Sequence, residues 1–411
     1  MKSLSRRKFL NQSLKGLSTV ILSSAVAGTS GSFLTFLNSC KSKGAITRYI
    51  PETDKSFPLL EVTGSYYEIG YAIGSFSKKE INDVFNKRKD WFNGLKETVK
   101  KDNKELYDGL LLKTRQYFPH LIEEIKGMSE GAGIAFDDMF LMNIKAETGA
   151  LRANQKEETP GCSTIYYADN NKMYWVHNED GNEANRGNMF VVKATPPSGI
   201  TFIVLTYPGI IMGNGPGFNE HGIVQATNYI ASARWNIGIP RYILGRAVLE
   251  AKSINEAINI CTHPERAFAY HHNLASINDK KFYSVEVTPE NYQIFEPNGI
   301  YFHTNHLVLS KTKDFPQDKE YVNSSSLSRY SVIKESISDI SGLDMINEQE
   351  IFSILSSHQN KPFSPCRHPE GKVTGRTLAT AFFNINEGSL RLYKGNPCIS
   401  YPSEKYQTFM F

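Results

Sequence analysis

The sequence of 411 residues is 40% hydrophobic and 12% aromatic, which is ample for a buried core and excludes a largely disordered chain. Its formal charge of +4 belongs to the start: the first forty residues hold five of the 46 Lys and Arg and none of the 42 acids, leaving 41 basic against 42 acidic side chains. No basic excess remains that would argue for nucleic acid as a partner.

Residues 1–40 read as an export signal. Lys2, Arg6, Arg7, Lys8 and Lys15 precede an apolar stretch from Leu17 to Leu37. The SRRKFL run resembles a twin-arginine export signal, and 37-LNSC-40 resembles a bacterial lipobox whose Cys40 would be acylated as the mature N-terminus. Ser, Thr and Gly dilute the apolar stretch, which is barely long enough to span a bilayer. The expectation is an exported protein of the cell envelope, facing the periplasm or the surface and held to the membrane by a lipid at Cys40. Residues 41–57 are polar and unpatterned and read as a tether.

Residues 58–72 read as a strand and a Gly-marked turn. From Ser77 to Thr148 apolar residues recur at threes and fours, as in Ile81, Val84, Trp91 and Leu95, which predicts helices. The segment 58–161 is thus mainly helical. After Cys162 the texture changes. STIYYA and KMYWVH alternate about a DNN turn, and NMFVVKAT, TFIVLTYPG and GIVQATNYI follow as strands. A helix over 253–261 opens with Ser253 and Glu256 at capping-box spacing. Strands return from ASIN to YFHTNH. Helices are expected over 325–340 and 347–357, and a closing hairpin turns at NEG. Antiparallel strands with helices in blocks predict an α+β fold, its sheets packed on each other with helices outside.

The five cysteines, at 40, 162, 261, 366 and 398, are irregularly spaced and form no CxxC, so no metal framework is expected. Outside the cytoplasm a Cys366–Cys398 disulfide is the pairing to test. His303 and His306 of HTNH would face opposite sides of a strand and could not share an ion.

The chemistry centres on Cys162. With the turn centred at Asn170, Cys162 lies opposite Asn178, with Asp180 one pleat along on the same face. His177 would then point away, and no other histidine is near in sequence to serve as base. Another base is available. Cleavage of the Gly161–Cys162 bond would free an α-amine whose reference pKa is about 8, beside the thiol it must deprotonate. The thiol itself can make the cut by attacking the Gly161 carbonyl, which a glycine leaves unhindered. Asp180 could hold the new ammonium, and asparagine side chains could stabilise the oxyanion.

These features resemble the acyl-CoA:6-aminopenicillanic acid acyltransferase family, N-terminal-nucleophile hydrolases also called peptidase family C45 and related to the choloylglycine hydrolases. The resemblance runs from about residue 60 to the C-terminus through 64-GSYYEIGYAIG-74, 126-KGMSEGAGI-134, GCST, 178-NED-180, 217-GFNEHGIVQATN-228, 239-IPRYILGRAVLEAKSINEA-257, 303-HTNH-306, 324-SSSLSR-329, 376-RTLATAFFNI-385 and 395-GNPC-398. It implies a four-layer αββα sandwich of antiparallel sheets. Segment 162–411 would be catalytic, with Cys162 the nucleophile freed by autocleavage and 58–161 released as a small chain that stays its partner. It implies Asp180 as the acid at the amine, Asn305 as a site asparagine, Asn228 as oxyanion donor, and Arg329 or Arg376 as the site arginine. Glu179 stands where the family often has tryptophan. The implied activity is an amidohydrolase or acyltransferase that handles a small N-acyl amide or acyl donor through a Cys162 thioester, with no metal or cofactor. Two alternatives stand beside it: a hydrolase of bile-acid-like or β-lactam amides with the same fold, and a non-catalytic ligand-binding surface lipoprotein.

Overall fold

A computed structural model describes residues 46–149, 161–340, 342 and 346–411. The expected export signal, Cys40 and residues 41–45 of the tether lie outside the described residues. Among the described residues no helix is long and apolar enough to cross a membrane.

The strands in chain order are β1 (Ile46–Ile50), β2 (Leu59–Thr63), β3 (Ser163–Ala168), β4 (Met173–Asn182), β5 (Phe190–Thr195), β6 (Phe202–Thr206), β7 (Gly217–Asn219) and β8 (Ile223–Tyr229). They continue as β9 (Tyr270–Ser276), β10 (Lys281–Val287), β11 (Tyr292–Phe295), β12 (Gly299–His303), β13 (Gly375–Asn384), β14 (Ser389–Lys394) and β15 (Tyr406–Met410). One sheet has the order β1-β2-β5-β6-β7-β8-β9-β10-β11, and the other β12-β3-β4-β13-β14-β15. Among the described strands β2 and β5 pair in parallel and all other neighbours are antiparallel.

Alternation along the strands builds four layers. Val224, Ala226, Ala275 and Phe282 of the first sheet share one apolar core with Tyr166, Trp175 and Phe383 of the second. The Tyr166 and Phe282 rings meet across it with centroids 5.3 Å apart. The opposite face of the first sheet, through Ile223, Leu274 and Val285, packs under the helices Arg241–Val248 and Ile254–Cys261. The opposite face of the second, through Ile165, Val176 and Phe382, packs under the helices Leu327–Ser338 and Glu348–Leu355. The fold is therefore an α+β sandwich with the layer order helix, sheet, sheet, helix, as the sequence predicts. At the 253–261 helix Ser253 Oγ accepts the Glu256 N–H at 3.2 Å, while the Glu256 carboxylate turns to the Lys252 N–H at 2.9 Å.

Two glycine-spaced stretches find their reason here. The helices Tyr66–Phe76 and Pro119–Ala132 touch backbone to backbone. A Cβ on Gly70 would lie 1.9 Å from the Glu124 carbonyl oxygen, and one on Gly127 would lie 2.0 Å from that of Tyr67. The buried Glu124 beneath this contact accepts from Arg246 Nη2 at 2.9 Å, tying the N-terminal helices to the layer over the first sheet.

Residues 46–50 depart from the tether expectation. They form the edge strand β1, antiparallel to β2. Arg48 faces Glu61 at 3.5 Å, and the Tyr49 ring packs on Phe76 with centroids 5.3 Å apart. Half-exposed edge strands carry little hydrophobic alternation, so this one is hidden in the sequence.

Candidate active site

The β3–β4 hairpin sets the geometry. Its loop is Asn170–Asn171, closed by an Asp169 N–H to Lys172 carbonyl bond of 2.9 Å and by Asp169 Oδ1, which accepts the N–H groups of Asn171 and Lys172 at 2.7 Å each. The centre therefore falls between the two asparagines, and Ser163, not Cys162, pairs with Asn178. A shift of one residue turns the side chains of the paired hairpin to the other face, while a register irregularity where Asp180 and Glu179 face Thr377 and Ala379 of β13 leaves both carboxylates on the cavity. Asn178 points outward, where its Nδ2 donates to the carbonyls of Leu355 and Pro365 at 2.9 and 3.0 Å and its Oδ1 accepts from Thr380 at 2.7 Å. That corrects its expected place beside the thiol.

The same shift brings His177 and Glu179 to the Cys162 side. The thiol sulfur, a ring nitrogen of His177 and a carboxylate oxygen of Glu179 lie within 4.8 Å of one another. Both His177 nitrogens are engaged, Nδ1 with the Thr164 hydroxyl at 2.8 Å and Nε2 with Glu179 at 3.2 Å. Glu179 also accepts from the Tyr207 hydroxyl at 2.5 Å. Tyr207, forty-five positions along the chain from Cys162, has no sequence signal that pairs it with Glu179.

Asn305 and Arg329 hold the backbone of Cys162. The Cys162 N–H donates to Asn305 Oδ1 at 2.8 Å. Arg329 Nη1 donates to the Cys162 carbonyl at 2.6 Å and to Ser163 Oγ at 3.0 Å, while its Nη2 reaches Asn305 Oδ1 at 2.7 Å. A π-helical turn, Val322–Ser326, leads into the Arg329 helix and presents Ser326 Oγ to the Asn305 N–H at 2.8 Å. Gly161 lies in this grip: a Cβ there would fall 2.1 Å from Arg329 Nη2 and 2.5 Å from Asn305 Oδ1. Arg376 is elsewhere, its Nε 2.9 Å from Glu183. Of the two candidate arginines, Arg329 is the one at Cys162.

Asp180 is buried. Its Oδ1 accepts from the Thr377 hydroxyl at 2.7 Å, and its Oδ2 has no hydrogen-bond partner. Burial pushes the carboxyl up to about 7, against the pull of Arg329, Arg367 and Thr377. Burial, followed by the nearby Glu179 and Asp180 charges, also pushes the Cys162 thiol well up, although the Asp180 N–H and Arg329 oppose this. In this surrounding the thiol attacks only as its proton is taken up by an acceptor.

The raised carboxyl has a consequence for stability. An unfolded aspartate titrates near ~4, so between that value and about 7 the folded uncut chain binds more protons than the unfolded one. Stability should fall as pH rises through this window, and Asp180→Asn should flatten the fall. Urea midpoints of the Cys162→Ala chain, with and without Asp180→Asn, across that range measure it.

Asn228 lies between the sheets. Its Oδ1 accepts from Thr164 Oγ1 at 3.1 Å and Asn273 Nδ2 at 2.7 Å, and its Nδ2 is a buried donor without a partner. Thr164 is the next side chain after Cys162 on that face. A cavity of about 450 Å³ opens on Cys162, Glu179, Asp180 and Tyr207. Its lining includes Arg241, ringed by Tyr229, Tyr242, Phe268 and Tyr270 at 4.6 to 5.5 Å from the guanidinium carbon. Arg241 is 5% exposed, and its Nε and Nη1 have no hydrogen-bond partner.

A family model described as acyl-coenzyme A:6-aminopenicillanic acid acyl-transferase matches residues 167–398. The acyl-coenzyme A:6-aminopenicillanic-acid-acyltransferase 40 kDa form of Emericella nidulans is 26% identical over 334 residues, covering 79% of this chain and 90% of that protein. The β-alanyl-dopamine/carcinine hydrolase of Drosophila melanogaster is 23% identical over 387 residues, covering 85% and 95%. Among solved structures, a mutant of conjugated bile acid hydrolase from Clostridium perfringens superposes with a TM-score of 0.38 at 15% identity, over 61% of this chain and 97% of that one. Penicillin V acylase from Agrobacterium tumefaciens gives 0.33 at 11% identity, over 57% and 82%.

Proposed function

The chain belongs to the acyl-coenzyme A:6-aminopenicillanic acid acyl-transferase family, and on that premise we propose that it is a self-processing amidohydrolase with Cys162 as an N-terminal nucleophile. The observation that carries this reading is the grip on the Gly161–Cys162 junction: Asn305 on the Cys162 N–H, Arg329 on its carbonyl, and a buried Asp180 oxygen without a partner.

In maturation the thiol adds to the Gly161 carbonyl and the Gly161–Cys162 C–N bond breaks, leaving a thioester and a free Cys162 amine. Water then hydrolyses the thioester, giving the Gly161 carboxylate and the thiol. The new ammonium sits on Asn305 Oδ1, and the free Asp180 oxygen is an acceptor for it. In turnover the α-amine takes the thiol proton and the thiolate adds to a substrate amide. The amine returns the proton to the leaving nitrogen, and water or a second amine resolves the acyl-thioester. The unpaired Asn228 donor suits an oxyanion.

A thiol–histidine pair without cleavage is the competing arrangement, since His177 is near the sulfur. The engagement of both His177 nitrogens by Thr164 and Glu179 disfavours it. The features of residues 1–40 support export with a lipid anchor at Cys40. In that setting acyl-CoA is scarce, so hydrolysis of an N-acyl amide is favoured over transfer. The hydrolase named among the relatives supports the same choice.

The unpaired Arg241 nitrogens, set among aromatic rings on the cavity that Cys162 also lines, fit a carboxylate on the substrate. Arg241→Gln should raise KM for a carboxylate-bearing amide by roughly 10- to 100-fold, the worth of one charge-assisted hydrogen bond. A neutral analogue should change far less. Equal losses on both would contradict this role. The reading as a whole is tested by denaturing electrophoresis: the purified chain should run as two pieces, and Cys162→Ala as one.

A further inference from the structure

A second group of reactive side chains lies outside the cavity. His358, Cys366, His368 and Cys398 each turn a ligand atom inward, and the four atoms lie within 4.8 Å of one another. The two cysteines are free thiols rather than a disulfide. His368 Nε2 is 3.6 Å from Cys366 Sγ and 3.5 Å from Cys398 Sγ. The His358 and His368 rings stand at 82° with centroids 4.9 Å apart.

We propose that these four side chains form a structural zinc site with two cysteine and two histidine ligands. Zinc–sulfur and zinc–nitrogen bonds of about 2.3 and 2.0–2.1 Å at tetrahedral angles place sulfur and nitrogen about 3.6 Å apart. The two His368–sulfur separations match that edge. Two thiolates and two imidazoles fill a tetrahedral ion without leaving an open position, which fits a structural rather than a catalytic ion. The group also has outer support: Asn396 Nδ2 donates to Cys366 Sγ at 3.4 Å and to the Arg367 carbonyl at 2.6 Å. Cys366 is buried, while His358 is exposed and gives an ion a way in.

The ligands come from two places, a loop over 358–368 and the short helix Pro397–Ser400 that follows β14. An ion would clamp that loop to the second sheet. The loop carries two groups that bear on the catalytic strand. The Arg367 N–H donates to Thr377 Oγ1 at 3.0 Å, which in turn donates to Asp180, and the Pro365 carbonyl accepts from Asn178. The clamp therefore holds the outer supports of Asp180 in place, a positioning role at a distance from substrate.

The test uses the full chain produced with zinc in the medium. Elemental analysis should find about one zinc per chain, falling at least tenfold in Cys366→Ser/Cys398→Ser. Chelator treatment followed by cobalt(II) should give the intense visible absorption of tetrahedral thiolate-bound cobalt in wild type, a readout that needs no variant. His358→Ala, at the exposed ligand, should weaken cobalt binding by roughly 10- to 100-fold. Zinc content in wild type no higher than in the double variant would overturn the proposal, as would cobalt binding without the tetrahedral spectrum. A Cys366–Cys398 disulfide in peptides of the isolated protein would also overturn it.

Discussion

Cys162→Ala is expected to leave one uncut chain and to lower amide hydrolysis by at least ~10⁴-fold, the usual scale for removing a nucleophile that acts as a unit with its base. The size follows from two losses at once. The sulfur that would form the thioester is gone, and because the same sulfur makes the cut, the α-amine never forms. No other cysteine lines the cavity among the described residues. The substitution should be mild for the fold. Cys162 stands just before β3, and the hairpin is held by Ser163 to Ala168 paired with Asn178 to Met173. A thermal midpoint within a few degrees of wild type, together with lost activity, would separate chemistry from folding. Retained turnover in this variant would remove Cys162 from the mechanism.

Gly161→Ala is expected to slow self-cleavage by on the order of 10²-fold, the cost of displacing a reacting group by about an ångström. The added Cβ would meet Arg329 Nη2 and Asn305 Oδ1 at 2.1 and 2.5 Å, so one or both must retreat. They are the groups that orient Cys162. The effect should be confined to maturation, because residue 161 leaves with the N-terminal segment. The fraction that does cut should therefore turn over substrate at close to the wild-type kcat. Following the two pieces by electrophoresis after synthesis gives the rate, and titrating active thiol in the cut fraction gives kcat. Processing at the wild-type rate would mean that the junction tolerates bulk and that Arg329 and Asn305 do not set the cut.

The sequence carried the layers well, because strands buried on one face alternate and the helices over them repeat at threes and fours. Val224 and Ala226 against Ile223 show the strand pattern, and Ile351, Phe352 and Leu355 the helical one. Cys162 and Asp180 are legible in the hairpin itself and Asn305 and Arg329 through family resemblance, and the fold brings Cys162, Asn305 and Arg329 into direct hydrogen-bond contact. The hairpin phase was not legible. A DNN turn can close on one residue or two, and only the Asp169 hydrogen bonds decide. That single ambiguity moved Asn178 to the outer face and hid Glu179 and His177, which lie beside the sulfur. Arg376 and Arg329 could not be told apart by position, because a salt bridge to Glu183 removes the first and burial against Cys162 selects the second. The Cys/His group carries no short motif in the sequence, because His358, Cys366 and His368 lie in one loop and Cys398 is brought to them only by the β13–β14 hairpin.

The most direct test of the central claim is the N-terminus of the large piece in the active protein, read by intact mass and terminal sequencing. The account predicts a chain that starts at Cys162 with a free amine, and whose acyl adduct in a brief reaction with substrate maps to that residue. Full turnover by a chain whose Gly161–Cys162 bond is intact would contradict it.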